Sequence, residues 1–383
     1  MSEPASSPAR AGRLACFCPP GVPVEGVEAK GLHTGTWQLA AGFALAVLSQ
    51  TLVLGLIPLA GTLLAPKPYL ITVPYIAMLI GAAAATFPAS FLLDAFGRRA
   101  AFALGASTGI AGGLVMAYAL HNNAFLPFCL GAFWLGIAQG FSLFYRHEAA
   151  LGADGSSRTM AIGIVFGAGA LAGLAGPGLA EIAQKLVPNS LFIGAALLAA
   201  LTQVGVLLVA VVSAGRAPVL MRQGDEPAPN KPTSFSAFAA PVIIGAIAWF
   251  AMTAQMVATP SAMAACGIGV GAVMSAVAWH VIAMYAPAFV AGGLAKYTGP
   301  QALAIAGLVL IVIARFMVQY ADGYAGFASS LIIVALGWSL STAGATMWIH
   351  RDANPSRMAL AIHDALLFLA AIAGAVAAIV PLH

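Results

Sequence analysis

The sequence predicts an all-α polytopic membrane protein that crosses the bilayer eleven times. Three observations predict this. Of its 383 residues, 61% are hydrophobic and only 7% are charged, whereas a soluble domain carries about 25% charged residues. The charges are unevenly placed, leaving uncharged apolar runs of the ~20 residues that a membrane helix needs. Those runs are continuous rather than alternating, which selects helices over barrel strands, the only other structure able to satisfy its backbone in lipid.

The elements follow in order. Residues 1–36 contain no apolar run and hold Arg10, Arg13 and Lys30, with Pro19, Pro20 and Pro23 between. They read as a flexible cytoplasmic tail without a signal-peptide core. Spans are predicted over 37–60, 69–93, 99–120, 124–145, 160–183 and 190–213, which form an N-terminal six-helix bundle (37–213). Residues 214–236 are polar, charged and proline-rich, as a cytoplasmic linker would be. Spans over 238–260, 268–294, 301–319, 325–348 and 357–381 then form a C-terminal bundle (237–383). With the N-terminus cytoplasmic, 13 of the 16 Lys and Arg residues fall on the inside, which satisfies the positive-inside rule and puts the C-terminus outside. The expected location is a bacterial inner (plasma) membrane.

A weak repeat relates the two halves. Leu93-Asp94-Ala95-Phe96-Gly97-Arg98-Arg99 joins spans two and three, and Leu294-Ala295-Lys296-Tyr297-Thr298-Gly299 joins spans eight and nine. Each link is long enough only to reverse the chain, and glycine supplies the backbone angles of a tight turn. The first link, taken from Ser90, resembles the G-x-L-x-D-x-x-G-R-R/K loop of the major facilitator superfamily. Gly292-Gly293-Leu294-Ala295-Lys296-Tyr297-Thr298-Gly299 is similar to its degenerate second copy. Ser90 stands where glycine is usual, and Lys296 where the first copy has Asp94. The resemblance implies a two-bundle fold in which Asp94, Arg98 and Arg99 lock the cytoplasmic side. That fold has twelve spans, and this sequence reaches Pro381-Leu382-His383 where the twelfth would begin.

Ionisable groups inside a membrane are costly and mark function. Asp94, Glu181, Asp364 and Arg315 lie near span ends. His280 is central. Two pairs at i, i+4 stand out, Met252/Met256 on span seven and His280/Met284 on span eight, each presenting two donor atoms on one helical face. Thioether and imidazole suit Cu(I), while magnesium and calcium want oxygen ligands. Five of the thirteen methionines fall between 252 and 284. Methionine is also a flexible core filler, so a packed core could produce the same pattern.

Met252-Thr253-Ala254-Gln255-Met256, followed by His280-Val281-Ile282-Ala283-Met284-Tyr285-Ala286-Pro287-Ala288-Phe289, resembles the CcoA-type copper importers of the same superfamily, which carry MxxxM on helix seven and HxxxM on helix eight. The resemblance implies that Met252, Met256, His280 and Met284 are copper ligands. It further implies a copper importer that supplies assembly of cbb3-type cytochrome oxidase and hands its ion to a cytoplasmic copper acceptor. Similar sequences in that branch import riboflavin, so a riboflavin or other small organic solute importer is the alternative reading. A proton-coupled drug exporter is a third, for which Gly173-Leu174-Ala175-Gly176-Pro177-Gly178 on span five is the best argument. Cys266 and the tail cysteines Cys16 and Cys18 are further candidate copper ligands, and Cys129 reads as packing. His363 and Asp364 are candidates for proton coupling. No catalysis, permanently bound cofactor or nucleic-acid partner is expected. The expected partners are the copper ion and the lipid bilayer.

Overall fold

The computed structural model describes residues 34–153, 157–187, 192–213, 235–351 and 355–379. Most of the predicted tail, most of the predicted linker and the last four residues lie outside that set, and with them Cys16, Cys18 and His383. The described residues contain thirteen α-helices and no strand. These are α1 (Thr34–Leu64), α2 (Val73–Ala95), α3 (Gly97–His121), α4 (Phe125–Leu151), α5 (Ser157–Gly167), α6 (Ala170–Leu186) and α7 (Ile193–Val212) in the first half. The second half has α8 (Phe235–Ala265), α9 (Val270–Tyr285), α10 (Pro287–Thr298), α11 (Pro300–Gln319), α12 (Tyr324–Ile349) and α13 (Arg357–Ile379).

Eleven segments of the described residues are long and apolar enough to span a membrane, and each coincides with a span predicted from sequence. Thirteen helices make eleven spans because two spans are broken. Span five divides at Ala168-Gly169 into α5 and α6, and span eight divides at Ala286 into α9 and α10. Pro287 explains the second break, since it opens α10 and has no N–H to continue the ladder of α9. Span four differs at its end. The sequence puts its boundary at residue 145, but α4 runs to Leu151 and carries Arg146, His147 and Glu148 inside the fold, all buried. Arg146 is therefore a core residue, not the loop cation that charge counting made it.

Both turn glycines do what the sequence demands of them. Gly97 has φ +78° and Gly299 has φ +82°, values that a residue with a Cβ adopts only at a cost.

Within the first half, α1 packs on α7, and α4 packs on α2 and α3. Within the second, α12 packs on α8, α9 and α11, and α13 packs on α8. The halves meet along two seams, where α13 lies against α2 and where α9 and α10 lie against α6 and α5. Glycine makes these approaches possible, as small residues do between membrane helices. A Cβ added at Gly136 on α4 would overlap the Met78 carbonyl oxygen of α2. At the second seam, a Cβ at Gly163 would lie 2.6 Å from the Ala288 oxygen, and one at Gly292 would lie 2.6 Å from the Thr159 oxygen.

Gly136→Val is expected to force α2 and α4 apart and cost about 1–3 kcal/mol, the usual penalty of overpacking. A lower thermal-unfolding midpoint in detergent checks it. An unchanged midpoint would mean that these helices do not pack this closely.

Candidate functional site

Thirteen of the sixteen basic residues of the sequence, Arg146 among them, are predicted to lie in the tail, the linker or the loops at one end of the spans. That end, called here the Arg-rich end, holds three layers of interaction between the halves. The outermost is an ion-pair system. Arg357, at the start of α13, donates from Nη1 to Asp94 Oδ1 at 2.6 Å and from Nε to Glu148 Oε1 at 2.9 Å. Arg98 Nε lies 3.6 Å from the other Glu148 oxygen. One arginine of the second half thus clamps two carboxylates of the first. Arg99 donates instead to the Ser213 carbonyl at 3.2 Å, within the first half.

Behind this clamp lies a buried polar centre. Arg146 and His147 come from α4, His350 caps the end of α12, and His363 and Asp364 come from α13. All five are at most 1% exposed as side chains or residues. The Arg146 guanidinium is ion-paired with Asp364 Oδ1. His363 Nδ1 is 2.8 Å from the same oxygen. His147 Nε2 is 3.3 Å from both carboxylate oxygens, and His147 Nδ1 is 3.0 Å from His350 Nε2. Arg158 on α5 donates to the His350 carbonyl at 2.7 Å. Burial pushes the His350 imidazole well below its ordinary value, and the facing His147 and Arg158 act in the same direction.

Hydrogen-bond chemistry fixes the tautomers of these neutral rings. An ionised carboxylate only accepts, so His147 Nε2 and His363 Nδ1 each carry a hydrogen. The His147 Nδ1 lone pair then accepts from His350 Nε2–H. Two lone pairs are left over, His350 Nδ1 and His363 Nε2, and neither meets a protein partner among the described residues.

The third layer is aromatic. Phe43, Phe166, Trp249, Tyr285, Trp338 and Phe368 come from six different helices. Their ring centroids form a connected set, with Phe166 5.3 Å from Tyr285, Trp338 5.6 Å from Phe166 and 5.3 Å from Trp249, and Trp249 5.2 Å from Phe368. Trp338 is buried and its indole N–H has no protein partner, nor does the neighbouring Ser339 hydroxyl. Beyond it, toward the other end, a cavity of about 590 Å³ opens between the halves. Leu52 and Leu56 of α1, Pro177 of α6, and Met274 and Val281 of α9 line it, with Thr51 and Ser275 as hydroxyl groups. Val281 is one helical turn from Tyr285, so the cavity ends close to the aromatic layer.

No family model matches the sequence. A riboflavin transporter, RfnT, from Brucella anthropi is 32% identical over 311 residues, spanning 80% of this chain and 78% of that protein. An uncharacterised MFS-type transporter, YdeG, from Bacillus subtilis is 26% identical over 81% of this chain and 74% of its own length. Among solved structures, the proton:xylose symporter XylE superposes with a TM-score of 0.71 at 15% identity, over 89% of this chain and 86% of XylE. The chain belongs to the major facilitator superfamily of transporters.

The cavity and the aromatic layer lie between the halves of this superfamily transporter. The sequence-predicted donor residues lie on α8 and α9. Met252 on α8 is buried and Met256 is half-buried. His280 and Met284 on α9 are buried. Helix α12 packs against both α8 and α9, which touch each other little. His280 Nδ1 donates to the Leu331 carbonyl of α12 at 2.8 Å, and its Nε2 lone pair has no protein partner. Cys266 is exposed in the turn between α8 and α9, and Cys129 is half-buried. Gly173 of the glycine-proline segment packs on Ile282, where a Cβ would meet the backbone nitrogen at 2.8 Å. Glu181 is exposed and paired with Lys185 at 2.7 Å.

Sequence reasoning found Asp94, Arg98, His363 and Asp364 but missed Arg146, His147, Glu148, His350 and Arg357 as a group. One signal was available: Arg146-His147-Glu148 directly continues an apolar run, and three consecutive ionisable residues there need partners. The aromatic layer left no such signal, because its six members are scattered over the whole chain.

Arg357→Gln is expected to open the Arg-rich end more often than Arg99→Gln does. A cysteine placed at the buried Ser90 should then react with a membrane-permeant maleimide about tenfold faster, the factor given by ~1.4 kcal/mol of lost closure. Equal rates in the two variants would remove Arg357 from the clamp.

Proposed function

We propose that this transporter imports a flat heteroaromatic solute of the riboflavin type, in the inner membrane of a bacterial cell, with the Arg-rich end facing the cytoplasm. The cavity carries this reading. At about 590 Å³ it has the size and the apolar, sparsely polar lining of a site for an organic molecule, far larger than a metal ion requires. It ends one turn from a layer of aromatic rings, and such rings stack on a heteroaromatic system with a preference of about 0.5–1.5 kcal/mol per pair beyond burial. The unpartnered Trp338 N–H and Ser339 hydroxyl supply hydrogen-bonding capacity to a polar ring edge once the layer parts. The riboflavin transporter of Brucella anthropi, similar over four fifths of the chain, supports the same class of solute.

A second reading, copper import through Met252, Met256, His280 and Met284, is favoured by one observation. The His280 ring donates Nδ1–H to a backbone carbonyl and keeps a buried, unused Nε2 lone pair. Metal-binding histidines are commonly oriented that way. Met284, one turn on, would supply a thioether.

Uptake of labelled riboflavin by cells expressing the chain separates the two. The organic-solute reading expects Trp338→Phe to weaken riboflavin uptake by about tenfold through loss of one stacking and hydrogen-bonding partner. Met256→Leu should leave it near wild type, since leucine keeps shape and burial. Copper uptake measured in parallel should not respond to either change. Absent riboflavin uptake, with copper uptake abolished by His280→Ala, would replace the first reading with the second.

A further inference from the structure

Arg146 has more hydrogen-bonding capacity than its own fold uses. The residue is buried, and its Nη2 is ion-paired with Asp364. Nε and Nη1, which carry three of a guanidinium's five N–H bonds, meet no protein partner among the described residues. The indole N–H of Trp338, also buried, meets none either. A buried donor left unpaired is costly. The unpaired groups of these two large side chains are all donors, so they fit a partner that accepts.

Both residues border the aromatic layer. Cα–Cβ bonds in a helix tilt toward its N-terminus, and for α4 that is the end away from the Arg-rich end. The long side chain of Arg146 thus leans from the polar centre toward the middle of the bundle. There it comes within electrostatic reach of Tyr285 on α9. The Tyr285 ring lies 5.8 Å from the Trp338 ring and 5.3 Å from the Phe166 ring. Tyr285 therefore stands beside both sets of donors. Val281, one turn before it, lines the cavity together with Leu52, Leu56 and Met274. A solute passing from the cavity through the parted rings would meet an apolar wall first and the donors last.

We propose that Arg146, together with the Trp338 N–H, reads a neutral acceptor edge of the transported ring, so that the substrate class is flat heteroaromatics bearing a ring carbonyl beside an unprotonated ring nitrogen. This rests on the organic-solute reading of the cavity and narrows it. A flavin ring has such an edge. Arginine recognises the carbonyl and ring nitrogen of guanine by the same chemistry. The charge of Arg146 is already matched by Asp364, so what the guanidinium has left to give is hydrogen bonds. A carboxylate or phosphate on the ring would bring a second negative charge to a balanced pair. In a buried site an unbalanced charge is disfavoured. A ring amine would set donors against donors. Other arginines around the centre are engaged elsewhere, Arg158 by the His350 carbonyl and Arg357 by Asp94 and Glu148.

The test titrates the full chain in lipid nanodiscs with four probes, followed by quenching of tryptophan fluorescence. Riboflavin and lumichrome carry the acceptor edge. Phenazine is a tricycle of similar size without a carbonyl, and phenazine-1-carboxylate adds an anionic group to it. The parent should bind riboflavin and lumichrome about tenfold or more tighter than phenazine, the factor that hydrogen bonds to a charged group supply. Arg146→Lys, which keeps a cation beside Asp364, should lose most of that difference and leave the Kd of phenazine near the parent's. The double variant Arg146→Met/Asp364→Asn, which leaves no buried charge unpaired, should do the same and serves if the lysine variant does not fold. Equal weakening of all probes would mean that Arg146 only holds the structure, and would overturn the proposal. So would a preference for lumichrome over phenazine that survives in the double variant, or one that is absent from the parent. Phenazine-1-carboxylate as the tightest probe would make this an anion site and overturn the neutral class. A parent that binds none of the four would remove the organic-solute reading itself, a result distinct from lost discrimination.

Discussion

A guanidinium and a carboxylate, Arg146 and Asp364, face each other in a part of the molecule that water does not reach. In a low-dielectric interior neither charge is tolerable alone, and their pairing only roughly offsets the cost of dehydrating both. Such a pair adds little to stability. What it does is make the junction between the halves all-or-none, because partial separation leaves two unpaired buried charges. The residues are 218 positions apart in sequence and belong to opposite halves, so everything outside them is arranged to meet this condition. His147 and His363 also face the carboxylate, His350 faces His147, and the Arg357 clamp lies outside them.

The seams on either side obey a different constraint. Where α5 and α6 meet α9 and α10, backbone packs on backbone through Gly163, Gly173 and Gly292. Larger side chains also seat on glycine here, as the Phe289 ring does on Gly167. Both spans at this seam are broken at mid-membrane, one at Ala168-Gly169 and one at Ala286-Pro287. Irregular backbone at that depth is tolerated where it is buried in protein or lines a cavity, and here it adjoins Tyr285 and the aromatic layer. Gly169 is in close reach of the Tyr285 ring, which a Cβ would meet at 2.7 Å. The aromatic layer and the cavity beyond it are thus bounded by the least regular parts of the fold.

Two kinds of chemistry coexist beside the aromatic layer. The cavity wall is apolar and wide, and the His280–Met284 face of α9 carries donor atoms. His280 points one nitrogen at the Leu331 carbonyl of α12, which ties the ring to the helix that also carries Trp338. Donor face and aromatic layer are therefore both anchored on α12.

The sequence by itself determined the spans and their number, because lipid imposes the same hydropathy requirement on every helix and that requirement is local and additive. It also determined the two turns at Gly97 and Gly299, whose backbone angles are a single-residue property. It pointed to Asp94, Arg98, His363 and Asp364 as ionisable groups in unusual places. It misplaced Arg146, since charge counting treats an arginine beside an apolar run as a loop residue and cannot see an aspartate more than 200 positions away. The extension of α4 to Leu151, the gathering of His147, His350 and His363 around one carboxylate, and the closing of six rings from six helices were decided only by tertiary structure. Each depends on which helix faces meet, and that is settled by packing glycine against backbone and charge against charge across the two halves, a pairwise property that no local window of the sequence contains.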